Sequence, residues 1–207
     1  MAVITISRES GSGGKEIAAL LSEKLNYKIL TKDLMIEIAA HLNKEGSAGG
    51  DSTAGTTASA ELLDGILAPV GQKARASKPS FDLDKPLTIR QVRDLVLAAY
   101  SHGNMIIIGR GGQVILANKP DVLHVRVIAP LEKRIAVRAA REGLSLKEAQ
   151  KKLVEADKAH VDFVKNFFDV DNRDPLLYDL VINTDKISID AAAELIFVAL
   201  NRLPKQG

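Results

Sequence analysis

The chain has no cysteine and no tryptophan, and only 4% of its 207 residues are aromatic. Without thiols there are no disulfides and no thiolate metal sites, and nothing calls for an oxidising compartment. An excess of one charge is also missing. The 28 Lys and Arg against 26 Asp and Glu leave a formal net charge of +2, so no global field draws the chain to nucleic acid or to an anionic membrane. The few aromatics are not interleaved with the basic residues, which removes the stacking platform that single-stranded nucleic acid uses. No apolar run approaches the ~20 residues that a membrane span needs. The opening "MAVITISRES" has neither a basic leader nor a long apolar core, so it does not read as a signal peptide. These absences predict a soluble, cytoplasmic protein with no nucleic-acid or membrane partner. They leave the oligomeric state open.

What is present is an ordinary globular composition, 46% hydrophobic and 26% charged, in a length that suits one domain with a real core. Val3–Ser7, Tyr27–Leu30, Met105–Ile108, Val122–Ala129 and Asp179–Thr184 are short apolar runs that read as strands. Between them lie helical periods. Ile17, Leu20, Leu21 and Leu25 share one face, "TKDLMIEIAAHL" follows with Thr31 placed to cap it, and "LTIRQVRDLVLAAYSHG" opens on a Thr88–Gln91 capping box and stops at Gly103. "LEKRIAVRAAREG" is a further helix. Ser145 and Glu148 open another that runs to about Phe168, and "SIDAAAELIFVALNRL" closes the chain. Several of the strands are not polar on alternate residues. That predicts an α/β domain of three layers, with a five-stranded parallel sheet covered on both faces. "NKEGSAGGDSTAGTTASA", from Asn43 to Ala60, lacks periodicity and reads as a mobile excursion: either a tolerated insertion or a moving lid.

In a parallel sheet ligands bind beyond the carboxyl ends of the strands, and two glycine-rich turns fall there. The first lies within "ITISRESGSGGKEIAAL", Ile4–Leu20. Gly11, Gly13 and Gly14 would let backbone amides approach phosphate oxygens, Ser10 and Ser12 would add hydroxyls, and the following helix would add its dipole. Two registers against the usual GxxxxGK-plus-hydroxyl pattern remain open. If Gly14-Lys15 is the Gly-Lys pair, Lys15 is the phosphate lysine, Glu9 takes the first glycine position and Glu16 replaces the metal-binding hydroxyl. If "SGSG" marks the loop, Gly14 stands in the lysine position and Lys15 is turned about 100° around the helix. A structural turn is the plain alternative to both.

The second turn is "IIIGRGG". An arginine between glycines at a strand end has little packing use, so Arg110 reads as a grip on an anionic acceptor. Arg134, Arg138 and Arg141 recur at spacings of four and three along one helix face, which is either a solvated face or a set of phosphate contacts. Lys158, His160 and Lys165 continue the basic content of the next helix, with surface positions as the alternative. No His or Asp cluster has metal-ligand spacing.

Taken together, "ITISRESGSGGKEIA", "IIIGRGG", "IAPLEKRIAVRAAREG" and "ADKAHVDFVKNFFDVDNRDPLLYDLVINT" resemble, in this order, the cytidylate kinase-like family of P-loop nucleoside monophosphate kinases. The resemblance covers nearly the whole chain outside about 43–85. It implies the three-layer P-loop kinase fold in one domain over 1–207, an acceptor-side insertion at about 43–85 and a lid at about 141–173. It further implies γ-phosphoryl transfer from ATP to a CMP- or dCMP-like nucleotide, with Mg²⁺ carried mainly by the nucleotide phosphates. Under it Lys15, Arg110 and Arg138 are the catalytic candidates. Ser10, Gly11, Ser12, Gly13, Gly14, Lys15, Glu16, Arg134 and Arg141 would hold the donor, and Arg110, Gly111, Lys158 and His160 the acceptor. No protein ligand to the metal is assigned. The chain departs from the family pattern at Ile108 and Gly111, where aspartates flank the glycine-arginine turn. It departs also at His160 for an arginine, at Thr31 for an aspartate and at Glu16 in the metal position. Glu16, Ile108 and Gly111 motivate a rival reading, a nucleotide-binding sensor or pseudokinase without transfer; a third keeps the fold and the ATP site but phosphorylates a small molecule that is not a nucleotide.

Overall fold

A computed structural model describes residues 2–45 and 87–204. Strand β1 (Val3–Arg8) leads into helix α1 (Gly14–Leu25), then β2 (Lys28–Leu30) and α2 (Lys32–Glu45). After residue 86 come α3 (Ile89–His102), β3 (Met105–Ile108), a short α4 (Gly112–Ile115) and β4 (Val122–Ile128). The chain continues through α5 (Leu131–Glu142), α6 (Leu146–Phe168), a 3-10 turn at Pro175–Leu177, β5 (Leu180–Asn183) and α7 (Ile189–Leu200). The strands form one five-stranded sheet in the order β2-β3-β1-β4-β5, and every pairing is parallel. This is the sheet that the unbroken apolar runs predict.

Both faces are covered, which is why polar residues do not alternate in β1 and β3. Ile4, Ile6, Ile106 and Ile108 pack with Ile17 and Leu21 of α1 and with Ala192 and Ile196 of α7. Val3, Met105 and Ile107 pack with Met35 and Ile38 of α2 and with Val92, Leu95 and Val96 of α3. Both sequence-predicted capping boxes form. The Thr88 hydroxyl accepts from Gln91 N–H at 3.2 Å and that of Ser145 from Glu148 N–H at 3.3 Å, with each N3 side chain returning to the cap backbone. The Thr31 hydroxyl likewise accepts from Leu34 N–H at 3.2 Å.

Two differences from expectation have local causes. Helix α2 continues through Asn43, Lys44 and Glu45, because none of them breaks a helix. The second glycine turn winds directly into α4, which no apolar period announces. The excursion expected at about 43–85 lies, from residue 46 onward, outside the described residues. Register then places the site. Arg8 is level with Val127 and Ile6 with Ile108, so the loop after β1, the turn after β3 and the end of β4 emerge along one sheet edge.

Candidate active site

The first glycine loop joins β1 to α1 at this edge. Gly11 and Gly13 adopt left-handed φ of +83° and +87°, and Gly13 caps a helix whose first-turn amides have no intrahelical acceptor. The Ser12 hydroxyl faces inward. It donates to the Glu9 carbonyl at 2.8 Å and to that of Val127 at 3.0 Å, and Ser12's own carbonyl accepts from the Thr184 hydroxyl at 2.9 Å. Ser12 therefore fastens the loop to β4 and to the chain after β5, and its hydroxyl is already engaged. The Ser10 amide donates at 2.8 Å to Asp157, which projects from α6.

Glu9 is the anchor of the loop's outer end. Its carboxylate accepts from Ala129 N–H at 3.2 Å and lies 3.5 Å from Arg134 and 4.0 Å from Arg126. Arg134 is 6% exposed and fully engaged. It donates to the Ala129 and Ser10 carbonyls at 2.9 and 3.2 Å and pairs with Asp157 at 2.5 Å. One turn on, Arg138 donates to the Ser10 hydroxyl at 3.3 Å, and Arg141 reaches Glu16 at 3.4 Å. The three arginines thus share one face of α5, as their spacing requires, and that face lies on the glycine loop. Arg134 is committed to holding it. Arg141 and Glu16 are both half-exposed, and such a pair adds little.

The second turn brings up the other half of the site. Gly109, Arg110 and Gly111 all have positive φ, between +60° and +70°. For Gly111 no other residue fits, because a Cβ there would meet the Phe168 ring at 2.4 Å. Arg110, a non-glycine residue in this conformation, lies over the Phe163 ring at 5.1 Å. Beside it Arg8, the last residue of β1, reaches the turn, so that a Cβ on Gly109 would stand 2.7 Å from Arg8 Nη1 and 3.6 Å from His160 Cε1. Neither Arg8 nor Arg110 makes an ion pair with a described carboxylate. Burial lowers the pKa of both guanidiniums, for Arg8 with added repulsion from Arg110, while Asp33 partly offsets the shift at Arg110. Two desolvated cations thus lie side by side with no ion-paired carboxylate among the described residues, an arrangement whose charge suits an anion.

His160 stands among these cations. Burial and then the charges of Arg8, Arg126 and Arg110 push its pKa from 6.5 down to about 4, with Asp157 opposing. It is neutral at pH 7, and its buried Nε2 has no hydrogen-bond partner. The unfolded chain binds this proton below about pH 6.5 and the folded chain only near pH 4, so stability should fall as pH drops through that window. The full effect is roughly 3 kcal/mol for a shift of this size. Thermal melts from pH 7 to pH 4 should show a steeper loss for the native chain than for His160→Gln; parallel curves would remove His160 as the cause.

Of the residues singled out in the sequence, the fold gathers Ser10, Gly11, Ser12, Gly13, Gly14, Arg134 and Arg138 at the first loop and Arg110, Gly111 and His160 at the second turn. Lys15 and Glu16 are exposed on the first turn of α1. Lys158 is not brought in: its side chain is 73% exposed and its ammonium pairs with Asp162 one turn along the surface of α6. Three residues were not foreseen. Arg8 was legible only as a strand end, although that end is where ligands bind. Asp157 meets the loop across 147 residues of sequence, which no local pattern encodes. Arg126 did carry a signal, a charge inside the apolar run "VLHVRVIA". It is 6% exposed and donates to the Asn172 carbonyl at 2.8 Å. Among the described residues no group of three or more His, Asp and Glu side chains is gathered for a metal, and no helix is long and apolar enough to cross a membrane.

The profile of the cytidylate kinase-like family matches residues 3–186. Among similar proteins, a cytidylate kinase of Sulfurisphaera tokodaii is 27% identical over 96% of this chain and 95% of its own length. One of Methanocaldococcus jannaschii is 26% identical over 98% and 99%. Among solved structures, a protein from Eubacterium ventriosum superimposes with a TM-score of 0.69 at 21% identity, over 98% of this chain and 99% of its own. A shikimate kinase from Bacteroides thetaiotaomicron does so with a TM-score of 0.51 at 12% identity, over 97% and 98%. At those identities the structural likeness establishes the fold alone.

Proposed function

Because the chain belongs to the cytidylate kinase-like family and is a nucleoside monophosphate kinase-like phosphotransferase, we propose that it transfers the γ-phosphoryl group of ATP to a CMP- or dCMP-like acceptor. The observation that carries this reading is the pairing of two sites along one sheet edge. One is a glycine loop running into a helix N-terminus; the other is a turn where Arg110 and Arg8 lie together with no ion-paired carboxylate among the described residues. The loop geometry fits a polyphosphate, since the amides of the first turn of α1 face no intrahelical acceptor and the helix dipole adds positive potential. The residues of the arginine turn fit the acceptor's monophosphate, with Arg110 gripping it and Phe163 fixing the guanidinium. Phosphoryl transfer asks the protein for alignment, exclusion of water and positive charge rather than covalent chemistry. Arg138 approaches from α5, and the segment at about 141–173 acts as the lid that Asp157 and Arg134 bring down on the loop. Mg²⁺ carried on the nucleotide's phosphate oxygens would supply further charge neutralisation.

A coupled assay for ADP production across a panel of nucleoside monophosphates tests the proposal. Turnover highest with CMP or dCMP is expected, and none above buffer with any acceptor would overturn it. The rival reading, a nucleotide-binding sensor or pseudokinase, draws on Glu16 in the metal position and on Ile108 and Gly111 in place of aspartates. It predicts ATP binding by calorimetry with no transfer to any acceptor.

A further inference from the structure

We infer that Arg8 takes the place of the phosphate-loop lysine, its guanidinium contacting the phosphoryl group as it passes from the glycine loop to the arginine turn. This rests on the kinase reading above but concerns which cation serves it. The geometry of Gly14 decides the register of the loop. A Cβ on Gly14 would stand 2.9 Å from Arg8 Cβ, 3.2 Å from its Cγ and 3.3 Å from its Cδ. The direction in which a side chain at 14 would leave α1 is therefore filled by the stem of Arg8. From there the same side chain runs to the second turn, where Nη1 lies 2.7 Å from the Cβ position of Gly109. Arg8 thus spans from the start of α1 to the residue before Arg110.

Lys15 is one position further around the helix, about 100° away, and is exposed without an ion pair among the described residues. With Gly13-Gly14 in the place of the usual Gly-Lys, the first glycine of the pattern falls on residue 8. The loop therefore carries arginine where glycine is usual and glycine where lysine is usual. The two residues have exchanged ends, and the space at 14 vacated by a side chain is what admits the arginine. Burial and the nearby Arg110 lower the Arg8 pKa, the condition of a cation awaiting an anion.

In the step itself the bond from the γ-phosphorus to the β,γ-bridging oxygen breaks and its electron pair leaves with ADP. An oxygen of the acceptor's monophosphate supplies the pair for the new bond, giving a nucleoside diphosphate. Arg8 donates hydrogen bonds to the equatorial oxygens throughout and neither gains nor loses a proton.

The test is calorimetric titration of ATP and of inorganic tripolyphosphate into the full chain and its variants, with melts to confirm folding. Arg8→Ala and the bulkier Arg8→Gln should each weaken binding about 10- to 100-fold, the range for a lost charged hydrogen bond. Lys15→Ala should cost less than about threefold by the weak coupling of exposed charges. The double variant Arg8→Gly with Gly14→Lys should recover at least about tenfold over Arg8→Gly, on the same scale. A folded Arg8→Gln that binds as the native chain does, or a Lys15→Ala that loses as much as Arg8→Ala, would overturn the inference and leave the kinase proposal standing. A native chain that binds ATP but transfers to no monophosphate overturns the kinase proposal, while the binding series still decides Arg8. A native chain that binds neither probe overturns both.

Discussion

Replacing Arg110 by glycine should cut kcat/KM for phosphoryl transfer about a hundredfold, the cost of a lost charged grip on the acceptor phosphate, while leaving the fold no less stable. The two halves of this expectation have separate causes. Arg110 sits at φ +60° between two glycines that also have positive φ, a conformation that costs a non-glycine residue roughly 1–2 kcal/mol. Its charge also adds repulsion to the burial cost of Arg8. Glycine removes both penalties. Against this stands the contact with Phe163, worth roughly 1 kcal/mol for a partly desolvated cation–aromatic pair. The balance is near zero or slightly favourable. Strain held at a position with so little packing benefit is what an active-site residue shows. The measurements are a melting curve and kcat/KM for ADP formation on the same preparation. If Arg110→Gly retained activity within about threefold, the arginine would have no catalytic or binding role. If it melted far below the native chain, Arg110 would be structural instead.

Arg134→Met should do the opposite, destabilising the chain by about 2–3 kcal/mol, because it removes charged hydrogen bonds from a partly buried set and leaves two backbone carbonyls without their donor. Arg134 is 6% exposed and joins Glu9, Asp157 and the Ala129 and Ser10 carbonyls. Without it Asp157 keeps only the Ser10 amide, and Glu9 keeps the Ala129 amide and the more distant Arg126. Methionine keeps most of the volume, so a cavity does not account for the effect. Lysine should restore only part of it, since one ammonium cannot reproduce the forked contacts of a guanidinium. Denaturant unfolding of the native chain, Arg134→Met and Arg134→Lys reads this directly. A loss below about 1 kcal/mol with ATP affinity sharply reduced would return Arg134 to the donor-binding role that the family resemblance implies.

That contrast between Arg110 and Arg134 marks how far the site was legible. In the sequence both are arginines beside glycine-rich turns. Only Arg110 had a local reason to be exceptional, its glycine neighbours, and the fold keeps it without a carboxylate among the described residues. Arg134 belonged to a periodic set, and periodicity shows a shared face without showing what the face meets. Glu9 makes the same point: it looked like a defect in the loop, and it is the residue to which Ala129 N–H, Arg134 and Arg126 attach.

By itself the sequence determined the five strands, the helices between them other than α4, the capping boxes at Thr88 and Ser145, and the two glycine turns at strand ends. Each follows from local chemistry, because apolar period, cap hydroxyls and missing Cβ atoms act within a few residues. The tertiary structure alone decided where each charge is spent. A rotation of one residue around α1 separates Gly14, which faces Arg8, from Lys15, which faces solvent. The carboxylate that takes the Ser10 amide comes from 147 residues away. Electrostatic partners are set by proximity in space and by burial, which strengthens or penalises a charge according to what lies within a few ångströms, and no window of sequence contains that.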